Sequence, residues 1–166
     1  YLLNSRYNVV EGNVIENVGD DAINLQAASY CVISNNTARN WTDSGIQLWG
    51  GHQWGRYNSI IGNTFDGNNS GASGIAINSF SRTVLSGNTI TNVTSDGIRF
   101  LTPSSYNFSI VGNVITGATG HAINLGGSNV TNILVTGNPL LNTGGGIVNS
   151  RGSFSKVYMT KTDTND

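Results

Sequence analysis

The chain has 166 residues and a net charge of −1, and only 10% of its residues are charged. This length suffices for one domain with a hydrophobic core. Because no basic run and no membrane-length apolar stretch stands out, we expect neither a nucleic acid nor a membrane as a partner. Cys31, the single cysteine, excludes an internal disulfide and a cysteine-based zinc site, so we expect it to be a small buried apolar residue.

Two short motifs alternate along the chain, and each occurs six times. The first has an asparagine with one apolar residue three positions before it and another two positions after it. Successive asparagines are 23, 27, 25, 25 and 25 residues apart, at Asn13, Asn36, Asn63, Asn88, Asn113 and Asn138. The second begins with an isoleucine, at Ile23, Ile46, Ile75, Ile98, Ile123 and Ile147. Both motifs alternate apolar and polar residues, as strands do, and neither has the period of an amphipathic helix.

A repeat of this length without helices predicts an all-β parallel solenoid of about six coils. Residues 1–150 would form the β-helix, as part of a longer solenoid, and residues 151–166 a terminal strand or tail. Equivalent residues on neighbouring coils should stack about 4.8 Å apart. We expect the asparagines of the first motif to adopt the left-handed backbone conformation and to hydrogen-bond from coil to coil.

The first two coils carry aspartates where the second motif begins. Asp20 and Asp43 occupy equivalent positions, and Asp21 follows Asp20, so the three carboxylates should lie close together. Their proximity should raise at least one pKa, and a protonated carboxyl beside an ionised one can hydrolyse a glycosidic bond. We therefore predict Asp20, Asp21 and Asp43 as catalytic residues. The other interpretation is that these aspartates only cap turns, and it is the simpler one for Asp43 and Asp96 taken singly.

Amide and aromatic side chains should surround the three aspartates. Alternation within the second motif sends four of them outward, namely Asn24, Gln26, Gln47 and Trp49. Amides can bind sugar hydroxyls, and an indole face can stack on a pyranose ring. We predict these four residues as substrate contacts.

Two insertions interrupt the regular spacing. The longer one, "WGGHQWGRYN" at 49–58, leaves the outward strand beside the aspartates and should form one wall of a groove. Exposed aromatic residues there would be costly unless they bind something, so His52 and Trp54 are also predicted to contact the substrate. The shorter insertion, at 101–107, would wall the other end.

Residues 8–150 resemble the right-handed parallel β-helix of the pectin-lyase-like superfamily, which includes polygalacturonases, lyases, epimerases and bacteriophage tailspike depolymerases. The resemblance implies a right-handed coil and a polysaccharide partner. A tailspike-like protein would be a homotrimer and would act outside the cell or in a virion tail. Because one fold serves many reactions, the resemblance does not by itself identify the chemistry.

Two short segments resemble those of polygalacturonase-type hydrolases. "GDDAI" at 19–23 is similar to the family's "GDDCI", which implies that Asp20 and Asp21 are the active carboxylates. Arg99-Phe100-Leu101 resembles the family's Arg-Ile-Lys step, which implies that Arg99 contacts a carboxylate or hydroxyl of the substrate. The family's Gly-His-Gly step reads Asp43-Ser44-Gly45 here, so the resemblance implies a rearranged site.

The sequence thus predicts a protein that binds and cleaves a bacterial surface polysaccharide, as a hydrolase rather than a lyase and without a cofactor. A calcium-assisted lyase stays open, because Asp20, Asp21 and Asp43 could hold calcium. Elimination would also need a basic residue, and only Arg99 offers one. The alternative from a different class is a non-catalytic structural or adhesive module of a fibre or surface protein.

Overall fold

The computed structural model describes residues 1–50, 55–101, 105–126, 130–148 and 157–159. These residues form strands joined by turns. In chain order the strands are Leu2–Leu3 (β1), Val9–Glu11 (β2), Val14–Val18 (β3), Ile23–Gln26 (β4), Val32–Ser34 (β5), Thr37–Trp41 (β6), Ser44–Trp49 (β7), Gly55–Arg56 (β8), Ser59–Ile61 (β9), Thr64–Asp66 (β10), Ser73–Asn78 (β11), Phe80–Ser86 (β12), Thr89–Thr91 (β13), Ile98–Phe100 (β14), Tyr106–Val111 (β15), Val114–Thr116 (β16), His121–Asn124 (β17), Thr131–Thr136 (β18), Leu140–Leu141 (β19), Gly145–Val148 (β20) and Val157–Met159 (β21). Within the described ranges, no helix is long and apolar enough to cross a membrane.

The strands form three parallel sheets that run along the solenoid. The first has the order β1-β4-β7-β11-β14-β17-β20, the second β3-β6-β10-β13-β16-β19, and the third β2-β5-β9-β12-β15-β18-β21, with β8 also paired to β12. The predicted all-β parallel solenoid is therefore confirmed. The six strands of the second sheet span about five turns, slightly fewer than the six coils expected. The division at residue 150 stays a prediction.

The isoleucines of the second motif form one inward column. Ile23 pairs with Ile46, Ile46 with Ile75, Ile75 with Ile98 and Ile98 with Ile123, each on neighbouring strands of the first sheet. All five side chains are buried in the core. The predicted register is confirmed, and it determines which residues of the same strands point outward. Cys31 is buried too, as expected.

The asparagines of the first motif form a continuous ladder beside the core. From Asn36 to Asn138, the side-chain oxygen of each one accepts hydrogen bonds from both the backbone N–H and the side-chain amide of the asparagine on the preceding coil. For Asn88 these donors belong to Asn63, both at 3.0 Å. The amide of Asn88 in turn donates to the side-chain oxygen of Asn113 at 2.8 Å, and it reaches back to the carbonyl of Ile60 at 2.9 Å. One side chain thus joins three coils.

The left-handed residue of each turn is not the ladder asparagine, and that expectation was wrong. It is the preceding residue, a glycine in five of the six turns, such as Gly87 with φ 62°, and Asn35 with φ 54° in the remaining one. An added Cβ would meet nothing within 4 Å at Gly87, so glycine serves there for its backbone freedom rather than for space. The ladder asparagines keep ordinary φ angles because the glycine makes the turn.

The outward columns of the first sheet also follow the prediction. Asn24 pairs with Gln47, and Gln47 with Ala76, which pairs with Arg99. The next outward column pairs Gln26 with Trp49. Ala76 is nevertheless buried, because it is small and lies between two longer side chains.

Candidate functional site

The three predicted catalytic carboxylates lie together where β4 and β7 of the first sheet begin. Asp20 and Asp21 lie in the turn between β3 and β4, and Asp43 lies between β6 and β7 on the next coil. The backbone N–H of Asp43 faces the carbonyl of Asp20 at 3.5 Å, so the two turns stack. One oxygen from each of the three carboxylates lies within 4.8 Å of the others. Asp20 and Asp43 are exposed, whereas Asp21 is partly buried.

Asp21 differs from its two neighbours because its carboxylate is held by donors from the fold. Oδ2 accepts a hydrogen bond from the Asn24 amide at 2.7 Å, and Oδ1 accepts one from the backbone N–H of Ser44 at 3.1 Å. Burial raises the pKa of Asp21 most, and the like charges of Asp43 and Asp20 raise it further. The hydrogen bonds from Asn24 and Ser44 oppose this effect but do not cancel it, and the net pKa is raised.

This arrangement allows two kinds of chemistry. A carboxyl with a raised pKa beside exposed carboxylates can donate a proton while a neighbour acts as base or nucleophile. Calcium prefers carboxylate oxygens at about 2.3–2.6 Å, and oxygens around one ion therefore lie up to about 5 Å apart. The three carboxylates fit that distance as well. The geometry alone therefore permits either a proton-transfer pair or a calcium site.

Two of the predicted substrate contacts, Asn24 and Gln47, lie next to the carboxylates, and Gln26 and Trp49 lie two residues further along the same strands. The Asn24 amide, which holds Asp21, also donates to the Gln47 side-chain oxygen at 2.9 Å. Gln26 accepts a hydrogen bond from the Tyr1 hydroxyl, and its strand partner is Trp49. Trp49 is 39% exposed although it is a large aromatic side chain. An indole and three amides thus extend from the carboxylates along the same face.

The remaining predicted contacts do not join this group. Arg99 lies two strands beyond Gln47 in the same column, which places their backbones about 10 Å apart. Its Nε contacts Asp96 Oδ2 at 3.6 Å instead. His52 and Trp54 lie outside the described residues.

Asp96 organises a second polar cluster that the sequence interpretation left as a simple turn cap. It is 4% exposed, and its Oδ1 accepts the backbone N–H of His121 at 2.8 Å while Oδ2 accepts the Asn124 amide at 3.0 Å. The carboxylate thus binds the next coil, as Asp21 does through Ser44. The signal was present in the repeat, because Asp21 and Asp96 both precede the column isoleucine by two residues.

Replacing Asp43 with asparagine should lower the pKa of Asp21, because Asp43 contributes more to the raised value than Asp20 does. The folded protein holds the Asp21 proton more tightly than the unfolded chain, whose ordinary pKa is 3.8. The free energy of folding that this proton contributes is fully present below about pH 3.8, and it is lost as the pH rises through the raised pKa of Asp21.

The check is a carbon-13 NMR titration of the Asp21 carboxyl, with urea unfolding at several pH values. The Asp43→Asn variant should show the smaller loss of stability over that range. Glu16→Gln, the same loss of charge on the second sheet, should leave the Asp21 titration unchanged. An Asp21 titration that does not move in Asp43→Asn would contradict the assigned cause.

Comparison with known families identifies the coil. The family model described as the right-handed β-helix region matches residues 1–162. Neither the curated proteins nor the solved structures searched contain a match to this chain.

Proposed function

The chain belongs to the right-handed β-helix family, and from that premise we propose that it binds a bacterial surface polysaccharide and hydrolyses it at Asp20, Asp21 and Asp43. The observation that carries the proposal is the triad of carboxylates within 4.8 Å, one of which has a raised pKa. Proteins with this fold include both binders and degraders of polysaccharides, which agrees with the proposal but does not choose the reaction.

Each carboxylate has a distinct role in the proposed reaction. Asp21, partly buried and with a raised pKa, donates the proton to the leaving sugar oxygen. Asp20 is exposed and has no side-chain hydrogen bond within the described part of the chain, so it is free to act as base or nucleophile. Asp43 keeps the pKa of Asp21 raised through its negative charge.

Hydrolysis is favoured over elimination by the surroundings of the carboxylates. Elimination needs a basic side chain that removes a proton next to the sugar carboxylate. Within the described ranges, no arginine or lysine forms an ion pair with Asp20, Asp21 or Asp43, and Arg99 pairs with Asp96. The sugar itself would lie on Trp49, with its hydroxyls on the amides of Gln26 and Gln47.

The resemblance to tailspike depolymerases extends the proposal to the assembly. A tailspike-like protein would be a homotrimer placed outside the cell or in a virion tail. Calcium bound at the three carboxylates would make them metal ligands rather than a proton-transfer pair. Adding a chelator would then abolish any activity that depends on the bound calcium.

A specific observation favours the non-catalytic alternative. Both oxygens of Asp21 bind groups of the fold, Asn24 and Ser44, in the way that Asp96 binds Asn124 and His121. A structural role is therefore sufficient to explain a carboxylate at this position. In that case the chain is an adhesive or fibre module, and its outer face binds glycan without cleaving it.

A screen of bacterial surface polysaccharides with product analysis tests the proposal. We expect one to bind and to release oligosaccharides, and we expect Trp49→Ala to weaken binding about tenfold, because a flat apolar contact is lost. Leu134→Ala is the matched control, since Leu134 has the same 39% exposure on the third sheet. Binding without product supports the adhesive alternative, and no binding across the panel contradicts both.

A further inference from the structure

A column of aromatic residues lies at the corner between the first and third sheets. Tyr7, Tyr30 and Tyr57 stack on consecutive coils with ring centres 5.1 and 5.0 Å apart. All three have φ near 58°, in the left-handed region that bulky side chains rarely adopt. The same conformation recurs in other turns of the coil, such as those at Ala27 and Ser79, so it is the stacked rings that mark this corner as a candidate for binding.

Arg82 continues the column on the next coil. Its guanidinium lies over the Tyr57 ring at 5.4 Å and over the Tyr106 ring at 5.2 Å, and its Nη1 donates to the Tyr106 hydroxyl at 3.3 Å. Two rings and one hydroxyl therefore hold this cation in a fixed orientation beside Tyr106.

A groove of about 310 Å³ opens next to this column. Arg6, Arg56 and Tyr106 line it, with Ser29 and Ser81 in its floor. These residues stack in register: Arg6 bridges to Ser29, the backbone N–H of Arg56 donates to the Ser29 hydroxyl at 3.2 Å, and Ser81 pairs with both Arg56 and Tyr106. The volume falls at the lower end of the range for small-molecule sites.

The groove is positively charged and its charges are not neutralised. In the part of the chain that the structure describes, the guanidinium groups of Arg6 and Arg56 have no acidic partner and no hydrogen bond. Arg82 adds a third positive charge behind Tyr106. Guanidinium groups that converge on a concave surface bind carboxylates and phosphates well, often through two parallel hydrogen bonds.

The groove adjoins the proposed polysaccharide face. Gln26, which ends β4 on that face, is followed directly by Ala27 and then Ser29, both of which line the groove. A chain of sugars on the outer face can therefore extend around the corner. Single-stranded nucleic acid suits the groove less well, because it needs open aromatic faces, and Tyr30 has both faces covered by Tyr7 and Tyr57.

We propose that this groove, lined by Arg6, Arg56 and Tyr106 and flanked by Arg82, binds the carboxylate of an acidic sugar residue. The proposal rests on the proposed function in one respect: the acidic sugar would belong to the polysaccharide that binds at Trp49. The polysaccharide would then be anionic, with its charged residue recognised away from the carboxylates.

The test is an NMR titration of the arginine Nε–Hε signals with three probes: glucuronate, glucose as its neutral counterpart, and inorganic phosphate. Glucuronate should shift the Arg6 and Arg56 signals to saturation, and glucose should not. Arg56→Gln should weaken glucuronate binding about tenfold or more, because charge-assisted hydrogen bonds are lost. Arg39→Gln, an exposed arginine on the second sheet, is the matched control and should bind as the parent does.

Each outcome decides the proposal. Signals that glucuronate does not shift, or an Arg56→Gln variant that binds it as tightly as the parent, would overturn the groove assignment. If phosphate binds and glucuronate does not, the groove takes a free anion and the sugar assignment is wrong. None of these measurements needs catalysis, so the groove proposal can hold even if Asp20 has no catalytic role. If the protein cleaves polysaccharide but does not bind glucuronate, the groove proposal is wrong and the proposed function is unaffected.

Discussion

Asp20→Asn is expected to reduce polysaccharide cleavage about 10²–10⁴-fold while leaving the fold and most of the glycan affinity intact. Asparagine has the size of aspartate but cannot act as a base or nucleophile, and such a group typically contributes that factor. The side chain of Asp20 is exposed and forms no hydrogen bond to other described residues, so its replacement leaves no buried partner unpaired. The measurement is the initial rate of product release, beside a binding isotherm on the same polysaccharide.

Glu16→Gln serves as the matched control for this variant. Glu16 is an exposed acid on β3 in the second sheet, and its replacement makes the same change in net charge. It should cleave at the rate of the parent protein. If Asp20→Asn cleaves as fast as the control, Asp20 is a turn residue and the catalytic assignment is wrong.

Asp21 is the poorer choice for that experiment, and the structure explains why. Its two oxygens accept hydrogen bonds from Asn24 and from the backbone of Ser44. An asparagine offers one accepting oxygen, and its amide would face a second donor. Asp21→Asn therefore changes stability and chemistry together, whereas Asp20→Asn separates them.

Asn88→Ala is expected to lower the free energy of unfolding by roughly 2–4 kcal/mol. The substitution leaves the buried backbone N–H of Asn63 without its acceptor, at about 1–3 kcal/mol, and it removes the bonds to Asn113 and to the carbonyl of Ile60. Asn88 is 0% exposed, so water cannot replace these partners. Urea unfolding followed by circular dichroism measures the difference.

Asn13→Ala is the control, because Asn13 has the same residue type at the exposed end of the same ladder. Its amide donates to Asn36, but no hydrogen bond from the described residues to its own side-chain oxygen is present. The loss should stay below about 1 kcal/mol, since an exposed donor is replaced by water. Equal losses for Asn88→Ala and Asn13→Ala would show that the ladder does not stabilise through buried pairing.

The coil could be predicted from the sequence because its register repeats. The period-two pattern lets each strand bury only one set of alternate residues, and the isoleucine follows the asparagine by 10 residues in four of the six repeats. The column from Ile23 to Ile123 therefore followed directly. The same register brought Asp20 and Asp43 together. The sequence predicted a raised pKa among these carboxylates but not its main cause at Asp21, which is burial and not the neighbouring charges.

The sequence interpretation did not predict the arginine groove, because its residues come together only in the folded coil. Arg6, Arg56 and Arg82 are 50 and 26 residues apart, so no basic run in the sequence marks them. The signal lies in their offset, because each precedes a ladder asparagine by six or seven residues. The outward column of Arg99 was predicted, but its ion pair with Asp96 was not, because Asp96 belongs to the preceding turn. Its contact with the substrate stays a prediction.

The asparagine ladder also gives the solenoid a polarity. Every bond between ladder side chains points the same way, from the N–H groups of one coil to the oxygen of the next, from Asn13 through to Asn138. One end of the ladder therefore presents an acceptor and the other end presents a donor. If two copies met at their Asn13 ends, two acceptor oxygens would face each other. The ladder can therefore be extended only when the Asn13 end of one copy meets the Asn138 end of another, so that both chains run in the same direction.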